Sequence, residues 1–139
     1  MNPEDCKKNA IAHFSAFKFK DGNVKPKFFI LMDDIDKETD KIIVATFTSN
    51  LRFKNESFCV FVPKNYFKDC VNDPFPCEDS LLDCNTCDEI PAKVVRSGNC
   101  KLIGRVKDGW MSKVYKALEY ATKIEPRIVL KLKRRLNLK

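Results

Sequence analysis

Apolar residues along the chain come in short blocks separated by polar, turn-forming segments, a spacing that predicts strands first and a helix late. Ile11, Phe14, Phe17 and Phe19 among polar neighbours mark a first strand over 11–19, and Asp21-Gly22-Asn23 follows as a turn. Phe28-Phe29-Ile30-Leu31-Met32, apolar on both faces, lies in a second strand over 27–32. The acidic segment 33–40 loops to a third strand over 41–49, where Ile43, Ala45 and Phe47 alternate with Ile42, Val44, Thr46 and Thr48. A polar loop over 50–56 leads to a fourth strand over 57–62, and Pro63 opens a short helical turn through Phe67. Residues 71–79, with Pro74 and Pro76, form an irregular connection, and strands are expected at 80–84, 92–95 and 100–106.

Asp108 fits the N-cap of a helix running to about 124. Trp110, Met111, Val114, Tyr115, Leu118 and Ala121 recur there at helical spacing, and Pro126 ends it. In the tail, Leu130-Lys131-Leu132-Lys133 alternates like a strand but fits a basic helix equally. Five to seven short strands followed by one helix predict a mainly β (α+β) fold, a small barrel over roughly 10–107. The helix, roughly 108–124, packs on it, and a basic tail covers 126–139. No repeat or linker interrupts the pattern, so residues 1–139 read as one domain.

Composition narrows the picture. The 139 residues are 44% apolar and 32% charged, enough apolar surface for a core without disulfide or metal staples. Eleven Phe against four Gly point to densely packed aromatic strands. The net charge of +7 is uneven: 33–40 and 69–89 are acidic, while cations collect at 18–27 and 93–139. That asymmetry fits a polyanion such as RNA, an acidic protein partner, or simply a solubilising surface. The N-terminal segment has no apolar leader-like run, and nothing approaches the roughly 18 apolar residues of a membrane span. The expectation is therefore cytoplasmic, with no membrane partner, and the seven cysteines are expected as free thiols.

Several chemistries lack their residues. There is no Gly-rich phosphate loop, dinucleotide fingerprint, His-Glu-x-x-His helix or Gly-x-Ser-x-Gly elbow. His13 is the single histidine and, placed in a strand beside Phe14, reads as structural. Cys84 and Cys87 form a Cys-x-x-Cys pair, which with Cys77 and Cys100 could supply four thiolates to zinc. The second such pair of a zinc ribbon is missing, so no metal and no cofactor are expected.

The order of four segments carries a sharper signal. Lys25-Pro26-Lys27-Phe28 opens the second strand, and Thr46-Phe47-Thr48-Ser49-Asn50 closes the third. Asp79-Ser80-Leu81-Leu82 comes next, and Leu102-Ile103-Gly104-Arg105-Val106 leads into the helix. This order resembles the MazF/PemK toxin family over roughly residues 10–125. The resemblance implies an SH3-like barrel, a homodimer, an antitoxin-like protein partner, and metal-independent cleavage of single-stranded RNA.

Carried over by position, Lys25 falls where the family has an arginine before proline, and Thr48 and Ser49 fall on its hydroxyl pair. Lys25, Thr48 and Ser49 are the candidate catalytic residues, and Lys25, Lys27 and Asn50 the candidate RNA contacts. A lysine supplies a point charge rather than the bidentate fork of a guanidinium. The loop expected at 85–91 has no arginine and carries Asp88 and Glu89. Two functions follow: a toxin-type endoribonuclease, or a non-catalytic RNA- or protein-binding module on the same barrel.

Overall fold

The computed structural model describes residues 1–18, 24–70 and 75–135. The turn expected at Asp21-Gly22-Asn23, the end of the first strand at Phe19, part of the 71–79 connection and the last four residues of the tail lie outside them.

Six antiparallel strands form one sheet: β1 (Ala10–Lys18), β2 (Val24–Leu31), β3 (Lys41–Thr48), β4 (Cys59–Val62), β5 (Ser80–Pro91) and β6 (Cys100–Arg105). Their order is β4-β5-β3-β2-β1-β6. The chain also forms α1 (Ala92–Val95), α2 (Asp108–Leu118) and α3 (Pro126–Arg135). The fold is thus mainly β with helices, but β4 and β6 stay at opposite edges, so the sheet is open where the strand count suggested a barrel.

The doubly apolar strands are explained by two cores. Ile30, Ile43, Ala45, Phe47 and Leu82 face one core, closed by Trp110, Met111 and Val114 of α2 and by Ile128 and Leu132 of α3. Phe29, Leu31, Ile42 and Val44 face the other, with Cys6, Ala10, Val95 and Cys100. A strand buried on both sides reads as a continuous apolar run rather than an alternation.

Four expectations are corrected. Residues 92–95 form α1 rather than a strand, because Pro91 ends the β5 ladder and the Ala92 N–H turns to the Asp40 carbonyl at 2.9 Å. The strand expected at 80–84 continues to Pro91, so the loop expected at 85–91 is sheet. No helix forms over 63–67; consecutive turns cross that stretch, with the Tyr66 N–H on the Pro63 carbonyl at 3.0 Å. Finally, α2 ends at Leu118, and Pro126 starts α3 instead of terminating α2. Fixed φ and a missing N–H cost nothing in a first helical turn, so proline can open a helix as readily as end one.

Asp108 is the first residue of α2 and Lys107 its N-cap. The Asp108 carboxylate accepts from the Asn9 side-chain amide at 2.7 Å and sits at the positive end of the helix. Beyond Leu118, Asn85 Oδ1 accepts the N–H groups of Thr122 and Lys123 at 2.9 and 3.1 Å, fastening the α2–α3 connection to β5.

Candidate functional site

The pairing Phe29↔Thr46 fixes which side chains share a face of the sheet. Lys25 and Lys27 precede Phe29 at intervals of two along β2, and Thr48 follows Thr46 along β3, so all four polar groups lie on one face. Next to them, Thr48 pairs with Leu81 and Thr46 with Asp83 of β5. A cleft of about 240 Å³ opens at this end of the sheet, where β2 begins, β3 ends and β5 starts. Lys27, Thr48 and Ser49 line it together. Lys25 is exposed just before them on β2, and Asn50 is exposed just after; neither lines the cleft itself.

The rest of the wall comes from segments that the pattern of the sequence did not single out. Phe28 and Phe47 meet Phe75, with ring centroids 4.6 and 5.1 Å apart, and Pro76, Cys77 and Glu78 complete the rim. Glu78 also lines the cleft, while the charged neighbours that act on the Lys27 ammonium are Asp83 and Lys25. His13 stacks on Phe28 with centroids 4.4 Å apart, packing against the aromatic wall rather than lining the opening. The one usable signal for this wall was the adjoining aromatic and proline, Phe75-Pro76, in the connection before β5.

Electrostatics distinguish the two lysines. Burial pushes the Lys27 ammonium below its usual pKa, the Asp83 carboxylate opposes that shift, and the neighbouring charge of Lys25 adds to it. Thr48 Oγ1 accepts the Asn50 N–H at 3.1 Å, which leaves the hydroxyl proton to donate. Asn50 Oδ1 accepts the Arg52 N–H at 3.0 Å, so this side chain closes a turn after β3.

The cysteines are placed apart. Cys84 and Cys87 lie in a bulge of β5, where residues between Asp83 and Asp88 bypass the Val44–Thr46 step of β3. Thr86 Oγ1 fills the gap by accepting the Thr46 N–H at 2.8 Å. Both thiols face the α2 core, whereas Cys100 belongs to the opposite core with Cys6, and Cys77 is exposed at the cleft. Burial pushes the Cys84 thiol up strongly, Cys87 to about 12 and Cys100 to about 11, away from thiolate chemistry. Among the described residues, no group of three or more His, Cys, Asp or Glu is placed to hold a metal ion.

The basic C-terminal region has a different fate from the cleft. A groove of about 850 Å³ runs between segment 34–40 and α3, and charges pair across it. Lys131 Nζ contacts both Asp36 and Glu89 at 2.6 Å, Arg127 reaches Glu89 at 2.9 Å, and Arg135 pairs with the buried Asp33. The Asp36 carboxyl is held at about 2 by the hydrogen bond from Lys131 and by the Glu38 N–H. Burial raises Glu89, but the bonds from Lys131 and Arg127 outweigh it and hold the carboxyl below its usual range.

No family model matches the chain, and no curated protein matches it. No helix among the described residues is long and apolar enough to cross a membrane.

Proposed function

We propose that this chain is a MazF/PemK-like protein of the toxin type, that its open sheet is a relative of the SH3-like barrel, and that it is a metal-independent endoribonuclease acting on single-stranded RNA in the cytoplasm. The observation that carries the reading is the meeting of Lys27, Thr48 and Ser49 in one cleft, with Lys25 preceding them on the same strand face. Residues far apart in the sequence thereby bring one lysine and two hydroxyl residues to the wall of one small cleft.

The chemistry such a cleft supports is attack of a ribose 2′-OH on the adjacent phosphorus. The Glu78 carboxylate is the group in the cleft suited to take the 2′-OH proton, and its position was not foreseen from the sequence. Lys27 and Lys25 offset the charge that gathers on the phosphorane oxygens. The Ser49 and Thr48 hydroxyls donate to those oxygens, the bond from phosphorus to the 5′ oxygen breaks, and the proton that Glu78 took is returned to that departing oxygen. The products are a 2′,3′-cyclic phosphate end and a 5′-hydroxyl end. In the same reading the protein acts as a homodimer and is held in check by an antitoxin-like protein.

One feature favours a second reading, a non-catalytic RNA-binding module. The cation before Pro26 is a lysine, which lacks the paired donors that grip a phosphorane from two sides. Incubation of the purified protein with a mixed single-stranded RNA pool separates the two. The nuclease yields fragments with cyclic phosphate ends, and Glu78→Gln and Ser49→Ala slow their appearance by at least tenfold. Intact RNA at high protein concentration, bound with a salt-dependent affinity, selects the binding module instead. Absence of RNA binding even at low salt rejects both.

A further inference from the structure

The cations of α3 divide by flank. Arg127, Lys131 and Arg135 recur every four residues and reach carboxylates of the chain itself. Val129 and Lys133, also four apart, stand on another side of the helix and line a groove of about 230 Å³ between α3 and α2. Tyr115, Lys116 and Glu119 line the groove at three- and four-residue spacing from the side of α2, together with the buried Leu118. Tyr115 and Val129 are half-buried. The Tyr115 hydroxyl is committed to the interior, donating to the Met32 carbonyl at 3.3 Å, so the groove meets the ring rather than its polar end. Lys116 is exposed and Lys133 half-buried, and neither has an ion-pair partner among the described residues. Among those residues Glu119 is the one carboxylate at the groove, while Lys113 and Arg134, exposed on the same two helices, are also unpaired.

We propose that this groove docks an acidic amphipathic helix of a partner protein. An apolar lining and an unneutralised cationic rim occur together here, and such a helix matches both. Its apolar side chains, three and four residues apart, seat against Tyr115, Leu118 and Val129, and the carboxylates beside them meet Lys116 and Lys133. Other occupants leave part of the site unused. A polyanion without apolar side chains engages the lysines and leaves the apolar lining in contact with water. A lipid surface takes up apolar side chains that protrude, whereas these are recessed in a groove. At about 230 Å³ the groove is smaller than the roughly 300–1,000 Å³ of sites that enclose a whole small molecule, which suits side chains reaching in from a larger partner. Charge complementarity then selects an acidic helix over a basic one. No residue of the RNA cleft takes part, so the docking site stands or falls apart from the cleft reading.

The probe is a labelled peptide of about 16 residues with leucines along one helical face and glutamates along the other, compared with a scrambled peptide of the same composition. Fluorescence anisotropy should show the patterned peptide binding about tenfold more tightly than the scrambled one, and its binding should shift the Val129 methyl signals in NMR spectra. Lys116→Glu/Lys133→Glu should weaken that binding at least about tenfold. Lys93→Glu/Lys101→Glu, an equal change of net charge at exposed positions elsewhere, should bind close to the parent. Urea unfolding checks that both variants fold. Equal binding of the two peptides, equal loss in the two variants, or no binding to the parent overturns the proposal. Loss of RNA affinity in Lys116→Glu/Lys133→Glu with peptide binding intact makes the face a nucleic-acid surface and also overturns it. Self-association of the parent that this variant abolishes, again with peptide binding intact, gives the groove to a second copy of the chain instead.

Discussion

Two basic regions of this molecule look alike as sequence and differ as structure. Around α3, cations meet carboxylates: Lys131 bridges Asp36 and Glu89, Arg127 joins Glu89, and Arg135 joins Asp33. At the start of β2, Lys25 is exposed and Lys27 lies in a cleft with hydroxyls, one carboxylate and aromatic rings. The acidic loop and the basic tail, which in sequence resemble a polyanion-binding asymmetry, are in large part each other's partners. A surplus of charge identifies a binding face only after the internal pairs have been subtracted. The cleft proposed as the RNA site lies at the β2–β3 end of the sheet.

The largest expected effect tests whether α3 is part of the core or an appended tail. Leu132 is fully buried beneath it. Leu132→Ala should cost about 3 kcal/mol, seen as a lower urea midpoint with an unchanged slope. A change under 1 kcal/mol would make α3 a loosely attached arm whose cations are available after all. Next, Glu89→Gln removes the carboxylate shared by Lys131 and Arg127, whose side chain is 3% exposed. A loss of about 2 kcal/mol is expected, because Lys131 keeps Asp36 as a partner.

Acid should loosen the same clasp. Asp36 and Glu89 titrate below their unfolded values in the folded chain, so their contribution is complete above about pH 4.5, near the unfolded carboxyl values. It fades as the pH falls toward about 2, where Asp36 itself takes up a proton. Urea midpoints measured from pH 5 down to 2 should decline in the parent and decline less steeply in Glu89→Gln; parallel slopes would contradict the assignment. The smallest effect belongs to Arg96 and Asp40, paired at 2.9 Å with side chains 35% and 59% exposed. Arg96→Gln should shift stability by less than about 0.5 kcal/mol.

The legible parts of the fold were those in which local pattern and burial agree. Strands β2 and β3 stand out because 28–32 and 42–47 are apolar on both faces and both faces are buried. The turn of Pro91 into α1 was hidden, since Val94-Val95 carries a strand preference that the packing of Val95 into a core overrides. Pro126 is ambiguous by nature, compatible with the end of one helix or the start of another. Closure of a barrel depends on which strands find each other at the edges, and strand count carries no information about that. Of the cleft's lining, Lys27, Thr48 and Ser49 were singled out by motif order, whereas Phe75 and Glu78 arrive through a long irregular connection whose path no periodicity records.

The direct test of the account compares charge removal in the two basic regions. RNA affinity is measured against salt concentration for the parent, for Lys25→Gln/Lys27→Gln and for Arg127→Gln/Arg135→Gln, each checked for folding by urea unfolding. The β2 pair should lose most of its affinity, with a salt slope shallower by about 1.4 for two single-strand phosphate contacts, while the α3 pair binds as the parent does. Undiminished binding by the β2 variant, with loss in the α3 variant, would move the RNA surface to the other side of the molecule and contradict the cleft.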